Sequence, residues 1–156
     1  MLPAKSLLVD SALILALLAV GVVGYKLAPL LLPKADVVVA ADAGCDLQQA
    51  ACGASLPGGG RLVFALAPRP IPMAVPFEAS VTLSGVVAES VTIDFAGVEM
   101  NMGVNRQALT AHGNGRFSGS VTLPVCVSGR MLWQATVLVE SGRQRIAVPF
   151  RFAAGD

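Results

Sequence analysis

The sequence predicts an all-β body, an antiparallel β-sandwich preceded by one N-terminal transmembrane helix. Three features predict it: an uncharged apolar run near the N-terminus, a succession of short segments that alternate apolar with polar residues, and glycine-rich turn signals between them. The chain is read as an N-terminal membrane anchor over residues 1–34, a linker with a disulfide loop over 35–60, and the sandwich domain over 61–156. Without the anchor about 120 residues remain, enough for one domain with one core and too few for two.

The anchor comes first. Residues 11–25 read SALILALLAVGVVGY without a charge, Asp10 and Lys26 bracket them, and LAPLLL continues the apolar character to Pro33-Lys34. A bilayer core needs about 20 apolar residues as a helix. Residues 7–32 supply that length if Asp10 or Lys26 snorkels to an interface, and Pro29 and Pro33 stop the helix near its end. Two other fates stay open. A cleaved signal peptide has a shorter apolar run with an A-x-A site close behind it; Ala41-Asp42-Ala43 has that form but lies well past the run. Ala43-Gly44-Cys45 resembles the end of a lipoprotein signal, which would lipidate Cys45, yet Asp42 stands where an aliphatic residue is wanted. Length favours the uncleaved anchor. Lys5 before the helix and Lys26 and Lys34 after it leave the positive-inside count nearly balanced.

The body follows as strands. After Lys34 no segment keeps a 3.6-residue apolar period, whereas several alternate with period two. Phe77, Ala79, Val81 and Leu83 alternate with Glu78, Ser80 and Thr82; Val91, Ile93 and Phe95 alternate with Thr92 and Asp94. Phe117, Val121, Leu123 and Val125 share a face against Ser118, Ser120 and Thr122. Met131, Trp133, Ala135, Val137 and Val139 form another, with Gln134, Thr136 and Glu140 opposite. Ile146, Val148, Phe150 and Phe152 oppose Arg145 and Arg151, and residues 37–41 and 62–67 are shorter candidates. Turn signals separate these runs at 57–60, 113–115, 128–129 and 141–142. About seven short strands at this spacing favour a sandwich, with a closed barrel as the alternative. The absence of a βαβ pattern speaks against a nucleotide-binding fold.

Residues 67–76 carry Pro68, Pro70, Pro72 and Pro76. Proline lacks the N–H that a central strand donates, so this segment reads as an edge or a stiff crossing loop. The cysteines are Cys45, Cys52 and Cys126. A bridge between Cys45 and Cys52 closes a short loop beyond the anchor and places the body in an oxidising compartment; if Cys45 is lipidated instead, Cys52 is free to pair with Cys126. The spacing is not C-x-x-C, and there is no second pair for a zinc site. Cys126 alone reads as a small buried hydrophobe beneath a loop.

Composition narrows the function. A formal net charge of +1 offers no basic face for nucleic acid, and one Trp and one Tyr make no base-stacking platform. Catalysis has little support: the single His112 sits in a turn-like stretch with no evident nucleophile partner, and Asp94 and Glu99 are merely sequence neighbours. The chain is read as no enzyme. Met100 and Met102, two apart, point to one side of a strand. Unbroken alternation from Val91, Ile93 and Phe95 turns both outward, where soft thioethers suit Cu(I). A bulge at Gly97 flips them inward as core filler, and this is the favoured reading of the two. Cys126, Met131, Met73 and His112 are the other soft or borderline ligands. Arg106 and Arg130, both near turns, are candidates for an anionic partner surface.

The N-terminal helix, the small β-domain, the segment VEMNMGVNR and the stretch LPVCVSGRMLWQATV together resemble the FixH-like and YtkA-like families of bacterial membrane-anchored β-domains. The resemblance covers the C-terminal half. It implies an immunoglobulin-like fold and a part in copper handling and assembly of a respiratory haem–copper oxidase. The implied partner is an oxidase subunit or a copper chaperone, in the periplasm of a bacterium whose inner membrane holds the helix. Carried over residue by residue, it points to Met100, Met102, Cys126 and Met131 as ligands for Cu(I). Copper-carrying relatives tend to have a Met- and His-rich loop, whereas this chain has one His. That leaves a Met/Cys site, or a docking module that binds no metal.

Overall fold

The structure, a computed structural model, describes residues 13–25, 37–100, 103–124 and 129–155. The chain divides into two compact units, Met1–Lys34 and Ala35–Asp156. In the first, residues 13–25 form a helix, about 20 Å long at 1.5 Å per residue. Its large apolar side chains, from Leu13 to Tyr25, each expose more than half of their surface. Among the described residues no helix is long and apolar enough to cross a membrane; residues 7–12 and 26–32 of the expected span lie outside the described residues.

The second unit is built from ten strands: β1 (Val37–Val38), β2 (Cys52–Ser55), β3 (Arg61–Ala67), β4 (Phe77–Ser84), β5 (Ser90–Gly97), β6 (Arg106–Ala108), β7 (Thr110–Ala111), β8 (Arg116–Val121), β9 (Met131–Ser141) and β10 (Gln144–Ala154). They form two separate five-stranded sheets, ordered β1-β10-β9-β5-β6 and β2-β3-β4-β8-β7, so the arrangement is a sandwich rather than a closed barrel. Pairing is antiparallel except for β1, which lies parallel to β10.

Alternation along each strand builds the core. Val91, Ile93 and Phe95 of β5, Trp133 to Val139 of β9 and Ile146 to Phe152 of β10 send alternate side chains inward from one sheet. Leu62, Phe64 and Leu66 of β3 and Phe77 to Leu83 of β4 answer from the other. Two aromatic pairs span the layers, Phe64 with Phe150 at 5.2 Å and Phe77 with Phe95 at 6.4 Å, both in the tilted or edge geometries that rings prefer. β6 and β7 act as one strand that changes sheets at Leu109, which is buried and donates its N–H to Val91. Gly119 of β8 lies beneath it; an added Cβ there would stand 3.0 Å from Leu109 Cδ2.

Of residues 35–60, read from the sequence as a linker with a disulfide loop, the described ones, 37–60, are part of this sandwich. They supply β1, β2 and the fully buried Leu47. Within them Cys45 and Cys52 form a disulfide, with Cα atoms 5.4 Å apart. One end of the sandwich gathers this disulfide loop, the proline-rich strap and the β5–β6 connection. Arg69 Nε donates to the Leu47 carbonyl (3.0 Å), Ala74 N–H to Leu123 (2.9 Å) and Asn105 Nδ2 to Thr122 (3.2 Å). The opposite end carries the turns near 85–89, 113–115 and 141–143, tied by Glu89 N–H to Glu140 and Leu83 N–H to Gly115, each 2.8 Å.

The outer edge of β10 is only partly paired. Val39 N–H reaches the Ala147 carbonyl at 2.9 Å. Alternate residues face the same edge, so Pro149, Arg151 and Ala153 follow Ala147 there. Pro149 has no N–H to offer, and Gln48 Nε2 occupies the Ala153 carbonyl at 2.6 Å.

Candidate functional site

The β5–β6 connection holds the methionine segment. The register of β5 on β9 runs without interruption to Gly97↔Trp133, and Val98 N–H adds a further bond to Leu132 at 3.0 Å. The chain then turns through Gly103, at φ +77°, and returns at Asn105, whose carbonyl accepts from Phe95 N–H at 2.8 Å. A bulge at Gly97, the device that would have turned Met100 into core filler, is absent from this ladder. Val98 and Met100 are 42% and 43% exposed, and Val104 is 88% exposed. Met100 therefore faces outward.

Two of the other candidate ligands, Met131 and Met73, are turned to the core. Met131, the first residue of β9, is 3% exposed and shares the inward face of Trp133. Met73 lies half-buried in the proline-rich strap and packs on the core. Met102 and Cys126 lie outside the described residues. Among the described residues no three His, Cys, Asp or Glu side chains converge as a metal site.

The arginines separate as well. Arg106 stands across from Asp94 in the β5–β6 register and pairs with its carboxylate at 3.0 Å, so it is not a free cation for a partner. That partnership depends on a register no local pattern announces. Arg130 is exposed and immediately precedes β9, whose first residues lie at the same end of the sandwich as the end of β5. An arginine, a thioether and the exposed Val98 and Val104 thus share one end of the sandwich.

His112, which has no evident partner in the sequence, lies with Nε2 2.8 Å from Ser118 Oγ. Among the described residues no third side chain hydrogen-bonds to this pair. Both edges of β8 are paired, to β4 and to β7, so the amides beside Ser118 are spent in ladders instead of forming an oxyanion hole. Two features escape the sequence reading entirely, Val104 as an exposed apolar residue and Ser118 as a histidine partner. Parity along β8 could have turned Ser118 outward, but only the β7–β8 pairing brings His112 to it. Set against known proteins, the chain matches no family model, no curated protein and no solved structure.

Proposed function

We propose that the chain is a non-enzymatic, membrane-anchored accessory protein of the bacterial inner membrane, with an immunoglobulin-like sandwich in the periplasm. It supports copper delivery to, or assembly of, a respiratory haem–copper oxidase, as the FixH-like and YtkA-like resemblance suggests. The observation that carries this reading is the outward Met100 at the end of β5. A thioether exposed beside a second methionine two residues on is a soft donor set for Cu(I). The Cys45–Cys52 bridge supports an oxidising compartment, and the exposed apolar helix supports a lipid-embedded N-terminus. With Met131 in the core, the ligand set reduces to Met100, Met102 and Cys126.

The test is a Cu(I) competition on the full chain in detergent, against a chromophoric chelator. Ascorbate is the reductant, because it leaves the Cys45–Cys52 bridge closed and keeps two spurious thiolates out of the titration. One equivalent retained, and lost in Met100→Ala/Met102→Ala but kept in Met131→Leu, supports the copper role. No retention sinks it.

A second reading has its own observation. An exposed Arg130 at the same end of the sandwich as Met100 disfavours a bound cation there and suits a mixed apolar and anionic protein surface. In that reading the same end docks on an oxidase subunit or copper chaperone without metal. Loss of co-purification with the partner in Arg130→Glu, with Cu(I) retention absent from the parent chain, would select it.

A further inference from the structure

A separate site is built on the outer face of β4 and β8. The register sets Thr82 across from Arg116 and Ser80 across from Ser118, all outward of the buried Val81 and Phe117. The turn between β7 and β8 folds His112 back onto this face. His112 N–H donates to the Arg116 carbonyl (2.8 Å), Arg116 N–H to Gly113 (3.0 Å), and Nε2 rests on Ser118 Oγ. Leu83 N–H ties the turn to β4 through the Gly115 carbonyl (2.8 Å), and Gly115 sits at φ +71°, where a Cβ would collide with the Leu83 carbonyl oxygen. The result is an open groove of ≈ 500 Å³.

Its charge is uneven. The ion pairs of the described residues join Arg61 to Asp42, Arg106 to Asp94 and Arg145 to Glu140, and Arg116 takes part in none of them. Glu78 lines the far end of the groove, four residues along β4 from Thr82. That separation is roughly 13 Å between Cα atoms. Glu78 and Arg116 are thus carried at opposite ends of the groove, with Arg116 at the His112 end. A guanidinium fork matches two oxygens of a carboxylate or phosphate, and the hydroxyls of Ser80, Thr82 and Ser118 stand beside it as further donors.

We propose that the groove binds a small oxyanion, a phosphate or carboxylate group, between Arg116, His112 and the hydroxyls of Ser80, Thr82 and Ser118. This site is independent of the methionine segment and of the copper reading.

His112 is the single histidine of the chain, so its imidazole gives one NMR signal of its own. The experiment titrates the full chain in detergent with inorganic phosphate and, separately, acetate, with chloride holding ionic strength constant at fixed pH. A saturating shift with either anion is expected, weakened about tenfold in Arg116→Gln, as the loss of charge-assisted hydrogen bonds requires. Arg143→Gln, at the exposed turn after β9, leaves it unchanged. Saturation with phosphate alone assigns a phosphoryl ligand, and with acetate alone a carboxylate. Ser118→Ala is the second variant, expected to weaken the anion without altering the Trp133 emission that reports folding. A shift that never saturates, or one that survives intact in both Arg116→Gln and Ser118→Ala, overturns the proposal.

Discussion

Two irregular segments meet at one end of the sandwich, and they are held in place differently. The segment from Asp42 to Cys52 is closed by a disulfide, sinks Leu47 completely into the core and lends Gln48 to two backbone groups. The β5–β6 connection is tied at its base by Phe95 N–H to Asn105 and by Asn105 Nδ2 to Thr122, and it turns Val98, Met100 and Val104 to solvent. Both segments follow or precede short strands, and both contain glycine. The difference lies in the anchor: a buried side chain and a covalent bond make the first segment part of the core. The second leaves Val98, Met100 and Val104 outside the core.

The contrast predicts a graded series of effects. Leu47→Ala should be the most damaging change, costing about 3 kcal/mol through the lost contacts and the cavity left behind; a urea titration followed by the single buried Trp133 would measure it. An effect below 1 kcal/mol would mean that the disulfide loop rides on the core without belonging to it. Removing the bridge in Cys45→Ala/Cys52→Ala should cost about 2.5 kcal/mol, since the closed loop is short and its entropy modest. The same titration, with and without reductant on the parent chain, checks it. Gln48→Ala should cost about 1–2 kcal/mol for its two neutral hydrogen bonds. Amide exchange at Ile71, whose N–H rests on Gln48 Oε1 at 2.9 Å, should quicken with it. At the bottom of the scale, Met100→Ala and Val104→Ala should shift stability by no more than about 0.5 kcal/mol. A large loss at either site in thermal melting would move the β5–β6 connection into the same class as the disulfide loop.

The fold was legible where strands are long and face one core. β4, β5, β8, β9 and β10 show their alternation in the sequence, because each buries one face and wets the other; β3 is legible only as a short apolar run, since Val63, Ala65 and Ala67 are apolar too. β2, β6 and β7 do not. Cys-Gly-Ala-Ser carries too little bulk to show a period, and β6 and β7 are a few exposed residues that share one inward side chain, Leu109. Pairing with neighbours distant in sequence makes them strands. At the candidate site the same division holds. Burial of Met131 follows from its parity with Trp133, a deduction that outweighs its softness as a ligand. The facing of Met100 turned on whether Gly97 hosts a bulge, and local sequence permits either. The Arg106–Asp94 pair and the His112–Ser118 contact rest on cross-strand register, which composition does not encode.

The half-open edge of β10 has a consequence for how crowded copies of the chain behave. An unpaired strand edge is a template on which another chain can add its own strand, and repetition of that step grows a fibril. Here the template is interrupted. Pro149 withholds a donor midway, Arg151 sets a charge beside it, and Gln48 already occupies the Ala153 carbonyl. Since Gln48 belongs to the disulfide-closed loop, opening that bridge would loosen the cover as well as the core. Reducing conditions should therefore make the protein sticky before they make it unfold.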